Sequence, residues 1–314
     1  MRHAILGAGG VGGFVGAVLA AAGERVLLLL RAETLAVHPN ALTLDSPLGH
    51  LVAPCRLAAS LEQDTDLLWV TTKATQLEAA LDAIPDPSLA GTVVPLLNGV
   101  DHAARLRSRF GVERVVPGTI AAELERAEPG HIIHRSPFAR FGFAAAGESR
   151  LKRAIEILTG FGCTVTLEPD ELTLLWRKLV MLAPMALNTT AAERSVGELR
   201  QDPILWERFE ETAREACAVA LAEGARVSLD QTLGILRGLP ASLRSSMQKD
   251  VAAGRPPELD AIGGPIIRGG RAHGIPVPVA ASLVRTIEAF PPPLRGSAGP
   301  APPPPSGPPS GAAP

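Results

Sequence analysis

Short apolar runs alternate with helical patterns through the first half of the chain. Residues 2–6 and 25–30 are strand-like, and residues 12–22 between them carry a helical pattern. A third apolar run at 66–71, a helical stretch at 77–84 and a fourth run at 92–97 continue the alternation. Such a succession builds a parallel sheet with helices on both faces. Between 131 and 143 the runs shorten, which predicts additional edge strands. The rhythm then changes. Residues 151–160 read as a helix, 163–167 as one last strand, and Pro169-Asp170 opens a long helical segment. Apolar residues recur at helical spacing through 171–188, 203–224 and 229–237.

The pattern predicts an α/β doubly wound sheet domain over 1–168, followed by a mainly α-helical C-terminal domain over 169–290. A length of 314 residues suits two such units. Residues 291–314 are almost wholly Pro, Gly, Ser and Ala. A stretch of that kind cannot offset its ordering entropy and is expected to be disordered.

Composition narrows the function. The formal net charge is −2, which argues against nucleic acid or a membrane surface as partner, since both call for a basic face. Residues 1–23 imitate a secretory leader, with a basic start, an apolar stretch and small residues at the end. Five glycines between Gly7 and Gly13 weaken that reading, and the stretch runs straight into a buried-strand pattern. Glu24 and Arg25 interrupt the best candidate for a membrane span. A cytoplasmic location is expected.

Cys55, Cys163 and Cys217 lie far apart with no CxxC pair, so reduced thiols are expected rather than disulfides or structural zinc. His131 and His134 are read as strand or loop residues, and no metal site is expected. Lysine occurs only at 73, 152, 178 and 249, while Arg supplies the other cations. For Lys152 and Lys249 genome composition is explanation enough. Lys73 and Lys178 invite a chemical question.

Gly7-Ala8-Gly9-Gly10-Val11-Gly12 follows the first strand and opens the first helix. Gly7 permits the tight turn, Gly9 lets backbone approach a pyrophosphate, and Gly12 lets the helix pack closely on the strand. The helix N-terminus then offers unpaired N–H groups and a positive dipole end to the phosphates. This is a dinucleotide-binding, Rossmann-type unit. An NAD site places Asp or Glu at the end of the second strand. Here Arg31 stands nineteen residues after Gly12. A guanidinium pairs with a 2′-phosphate that a carboxylate would repel, so NADP(H) is the expected cofactor.

Further along come Thr72-Lys73-Ala74-Thr75-Gln76, Leu97-Asn98-Gly99-Val100 and Trp176-Arg177-Lys178-Leu179. Then follow Gly197-Glu198-Leu199, Ser245-Ser246-Met247, Glu258-Leu259-Asp260 and residues 271–278 (RAHGIPVP). With the glycine motif, this ordered set resembles the ketopantoate reductases, from Met1 to about Glu288. Those are NADPH-dependent reductases with a Rossmann domain and a helical C-terminal domain. The resemblance implies a cofactor cradle of Gly7, Gly9, Gly10, Val11 and Gly12, joined by Arg31, Lys73, Asn98, Ala122 and Glu258. Lys73 and Asn98 would line the nicotinamide side, with Asn98 also near the substrate. Glu258 would reach over from the second domain as the cleft closes, and Ser246 would help to hold the substrate. As residues alone, Glu258 and Ser246 read equally as surface or capping positions. His273 is read as structural, at the turn before the last helix.

Lys178 is the expected proton donor and a substrate contact. Hydride arriving at a ketone carbon leaves negative charge on oxygen, which a nearby ammonium stabilises and protonates. Its setting, Leu174-Leu175-Trp176-Arg177-Lys178-Leu179-Val180, is otherwise largely apolar. A charge there is costly unless it faces a cleft, a partner or a ligand.

The resemblance breaks at three positions. Four and eight residues beyond Lys178, where the family usually has Asn on the lysine's helical face, stand Leu182 and Ala186. A third family Asn, before Gly-Glu-Leu, is replaced by Val196. Each polar substrate group left unpaired against such a wall loses on the order of 1–3 kcal/mol. The expectation is therefore a more apolar or bulkier oxo compound, or pantoate chemistry that survives through Asn188 or Thr189. Pro184 could also kink the helix. The activity implied is NADPH-dependent reduction of a 2-oxo acid, with 2-dehydropantoate first among candidates. The alternatives are a related reductase for a more apolar carbonyl and a catalytically silent NADP-binding regulator. The helical domain could serve a homodimer.

Overall fold

The computed structural model describes residues 1–290, and the tail at 291–314, read as disordered, lies outside the described residues. The chain begins β1 (Arg2–Leu6), α1 (Gly10–Ala21), β2 (Arg25–Leu29), α2 (Ala32–Leu35), then β3 (Ala41–Ser46), β4 (Gly49–Pro54) and β5 (Arg56–Ala58). It continues with β6 (Thr65–Val70), α3 (Leu77–Leu81), β7 (Ala90–Pro95), α4 (His102–Phe110), β8 (Gly118–Ala121), β9 (Leu124–Glu128), β10 (His131–His134) and β11 (Arg140–Ala144). After α5 (Glu148–Gly160) and β12 (Thr164–Glu168) only helices follow. These are α6 (Glu171–Ala192), α7 (Val196–Gln201), α8 (Pro203–Ala222), α9 (Leu229–Arg237), α10 (Ser246–Ala252), α11 (Leu259–His273) and α12 (Pro278–Glu288).

The main sheet runs β5-β2-β1-β6-β7, every pair parallel. Its order reverses between β1 and β6, and ligands collect at the carboxyl ends of strands flanking such a reversal. The central strands read as continuous apolar runs because both faces are covered. On one face Ala4, Leu6, Leu68 and Val70 pack with Leu77, Leu81 and Leu106. On the other, Ile5 and Trp69 pack with Phe14 and Val18 of α1.

The short strands after residue 130 do not extend this sheet, as the sequence pattern had suggested. β10 joins β3, β4 and β9 in a second, four-stranded sheet, while β11, β8 and β12 form a third. The reason lies in α1, which is buried on more than one side. A Cβ on Gly13 would come within 2.3 Å of Ile132, and one on Gly16 within 2.9 Å of Leu42. The second sheet therefore lies against the outer face of the first helix, with Leu42, Leu44 and Ile132 buried there.

The helical half is built round α6. Its N-cap Asp170 accepts from the Leu172 backbone N–H at 3.2 Å. The helix continues past Pro184 to Ala192. α8, α11 and α12 pack against it and bury Leu179, Ala183 and Leu187 among Ala216, Ile262 and Leu283. Among the described residues no helix is long and apolar enough to cross a membrane.

Candidate active site

The glycine turn has the shape its sequence predicts. Gly7 has φ +101°, and a Cβ there would lie 2.7 Å from the Thr72 backbone nitrogen. At Gly12 a Cβ would come within 2.2 Å of the Gly7 carbonyl oxygen. Gly9, the N-cap of α1, has nothing within 4 Å of the same position. Open space thus lies over Gly9, in front of first-turn N–H groups that have no helical partner. Thr71, just past β6, donates its hydroxyl to the Gly7 carbonyl at 2.8 Å and pins the turn to the neighbouring strand. The chain between β8 and β9, which carries Ala122, passes over the turn: a Cβ on Gly10 would be 3.0 Å from the Leu124 carbonyl. These residues fit a dinucleotide pyrophosphate. Arg31 follows β2 as the N-cap of α2, exposed and without an ion-pair partner among the described residues.

Elements of both halves meet at the carboxyl ends of β6 and β7. Glu258, buried at the N-cap of α11, accepts from the Ala74 backbone N–H at 2.8 Å and from Asn98 Nδ2 at 2.9 Å. The Asn98-Gly99 turn comes this close because Gly99 has φ +85° and a Cβ there would be 2.4 Å from the Ala261 carbonyl oxygen. Lys73, beside Ala74, donates to Asp250 of α10 at 2.5 Å, and Arg255 holds the other Asp250 oxygen at 2.8 Å. The next residue back, Lys249, donates to Glu123 at 2.6 Å. Lys249 therefore joins the two halves, which its sequence setting did not disclose.

Lys178 lies in the second turn of α6, partly buried, with no ion pair or hydrogen bond among the described residues. Burial pushes its amine down to about 8, and the negative charge of Glu258 opposes the shift. An amine within reach of the Glu258 charge is chemically the most distinctive feature of the junction. Ser246 is exposed at the first turn of α10, while its neighbour Ser245 caps that helix and shares a hydroxyl–hydroxyl hydrogen bond with Thr189 at 2.8 Å. Among the described residues no group of three or more His, Cys, Asp or Glu could hold a metal ion.

Residues 3–146 match Ketopantoate reductase PanE/ApbA, and residues 171–290 match Ketopantoate reductase PanE/ApbA C terminal. The chain belongs to the ketopantoate reductase family. This family member is 31% identical over 295 residues to the 2-dehydropantoate 2-reductase of Caulobacter vibrioides, covering 91% of this chain and 98% of that one. It is 30% identical over 293 residues to the enzyme of the same name from Mycobacterium tuberculosis, covering 91% and 96%. The PanE/ApbA family ketopantoate reductase structure from Ralstonia eutropha JMP134 superposes with a TM-score of 0.82 at 27% identity, covering 92% of this chain and 97% of that one. The ketopantoate reductase fold, a parallel-sheet domain followed by helices, is thus complete here, and the chain is an oxidoreductase that uses a nicotinamide cofactor.

Within this reductase the apolar wall differs from the sequence expectation. Ala186 and Val196 are both 0% exposed, and Ala186 packs in the core of the helical half. Of the three positions, Leu182 alone is partly exposed. Asn188 and Thr189 are not free to supply the polar groups absent there. Asn188 donates to the Pro184 carbonyl at 2.9 Å and Thr212 at 3.1 Å, and accepts from Arg208 at 3.1 Å. Thr189 donates to the Met185 carbonyl at 2.8 Å. The Gly-Glu-Leu motif is structural, since Glu198 closes a capping box with Ser195 at the start of α7. His273 lies in the last turn of α11 and contacts Glu223 at 3.0 Å. Two residues escaped the sequence reading. Asp250 and His102 sit in no motif with a chemical signature, and only the folded chain brings them beside Lys73 and Asn98.

Proposed function

We propose that this reductase transfers hydride from NADPH to the carbonyl carbon of a 2-oxo acid, with 2-dehydropantoate as the leading substrate. The observation that carries the reading is Lys178, an amine near neutrality in its titration, unpaired among the described residues and close to the charge of Glu258. When bound, the reduced nicotinamide supplies the hydride. The chain's own part is to bind, orient and protonate. Gly9 and the first-turn N–H groups of α1 hold the pyrophosphate, and Arg31 pairs with the 2′-phosphate. Asn98 donates to the substrate once Glu258 turns from it. As the carbonyl carbon gains hydride, its oxygen takes up the electron pair, and the Lys178 ammonium delivers a proton to that oxygen. Lys178 is left as a neutral amine, which solvent reprotonates. Lys73, Ala122 and Ser246 complete the walls of the cofactor and substrate sites.

Leu182 favours a substrate whose side chain is apolar. Methyl groups of dehydropantoate satisfy that condition, as do branched 2-oxo acids. The silent-regulator alternative leaves an unpaired, partly buried ammonium without a use. Steady-state oxidation of NADPH and of NADH with dehydropantoate and with branched 2-oxo acids tests the reading. Turnover of a 2-oxo acid with preference for NADPH supports it. Tight NADPH binding with no turnover of any of them overturns it.

A further inference from the structure

His102 is the first residue of α4 and is only 4% exposed. Neither of its ring nitrogens completes a hydrogen bond among the described residues. Buried polar atoms of that kind are rare, because each loses water without replacement. The segment that carries it is held firmly against the helical half. Gly99 abuts the Ala261 carbonyl, and Asp101 accepts from Arg268 at 2.5 Å.

The far end of α4 is tied to the start of α6, where Arg107 donates to Glu171 at 2.6 Å. At a rise of about 1.5 Å per residue, His102 lies about 8 Å back from Arg107 and Lys178 about 10 Å on from Glu171. Val100, two residues before His102, packs against the core that holds Trp176 and Leu179, which brings the start of α4 to the same core as the turn of α6 that carries Lys178. The electrostatics agree: burial first, then the Lys178 charge, drives the imidazole down to about 4, while the Asn98 carbonyl weakly opposes this. His102 is therefore neutral at pH 7. The charged group that bears on His102 is Lys178, and the one that bears on Lys178 is Glu258.

A neutral imidazole carries one N–H and one lone pair. The Asn98 carbonyl acts on the ring as an acceptor does, which leaves the lone pair for a donor. We propose that His102 is a positioning residue for Lys178, accepting a hydrogen bond from its ammonium so that another N–H points at the substrate oxygen. This rests on the reading of Lys178 as proton donor. No proton passes through the imidazole. Its effect is to favour the charged form of an amine that burial disfavours, and to restrict a long side chain to one direction.

The test exploits the small number of lysines. With only four lysines in the chain, side-chain-labelled lysine followed by NMR in the cofactor-free protein resolves the Lys178 amine, and Lys178→Ala identifies its signal. In His102→Leu the Lys178 titration is expected to fall by about one pH unit, as a lost hydrogen bond to a charge implies. kcat should fall roughly tenfold with KM little changed. His102→Gln retains an acceptor and should recover most of both; it also serves if the Leu variant fails to fold. An unchanged Lys178 titration and kcat in a folded His102→Leu overturns the proposal. A Lys178→Ala variant that still turns over would instead overturn the proton-donor reading.

Discussion

Asn98 and Glu258 stand 160 residues apart in the chain and meet through a 2.9 Å hydrogen bond that joins the sheet half to the helical half. The other Glu258 oxygen takes the Ala74 N–H. One buried carboxylate thus links the chain just past β6 and β7 to α11, at the edge of the sheet where ligands collect in such folds. Under the proposed function, binding exchanges these bonds for bonds to ligand.

Glu258→Ala leaves an amide N–H and the Asn98 side chain without their acceptor. The expected loss is about 1–3 kcal/mol of stability in the cofactor-free protein. Denaturant unfolding with and without the substitution measures it. An unchanged midpoint would show that the bridge contributes nothing.

The glycine turn separates folding from binding. Gly12→Ala drives a methyl into the Gly7 carbonyl and should lower the thermal midpoint clearly. Gly9→Val meets no protein atom and should fold as before, yet obstruct the pyrophosphate. Thermal melts and direct NADPH titration of the two variants give opposite patterns under this account.

Much of this was legible in the chain. The strand at Arg2–Leu6 and the helix at Leu229–Arg237 have the bounds their patterns predict, because each is terminated by local signals such as the Ser228 cap. The second sheet was not legible. β3 and β4 pair with each other, but β3 also pairs with β10, nearly ninety residues later, and no local rule reports that. The same limit applies to the site. Helical spacing aligned Leu182 and Ala186 with Lys178, but only packing reveals that Ala186 is covered and Leu182 is not. Asp250 acquires its meaning from Lys73 in the other half of the fold.

Arg31 should decide between the two dinucleotides. Arg31→Ala removes the guanidinium and is expected to weaken NADPH roughly tenfold or more while leaving NADH nearly unchanged. Calorimetric titration of both cofactors checks this. Equal losses for both would place the 2′-phosphate elsewhere.

Acid–base behaviour follows from Lys178. Its amine loses a proton near pH 8 in the folded chain instead of at its usual 10.5. Proton donation, and with it kcat, should fall as pH rises past about 8. Stability moves the other way. Between about 8 and 10.5 the unfolded chain retains a proton that the folded chain has released, so the lysine's contribution to stability rises with pH. A kcat that increases through this window would exclude Lys178 as the acid.

The most direct measurement is turnover of NADPH and dehydropantoate by the wild type and by Lys178→Ala, alongside NADPH affinity for each. The account predicts intact cofactor binding in the variant and a loss of kcat of at least a hundredfold, the scale of general acid catalysis. A variant that binds NADPH and reduces the substrate at the wild-type rate would contradict it.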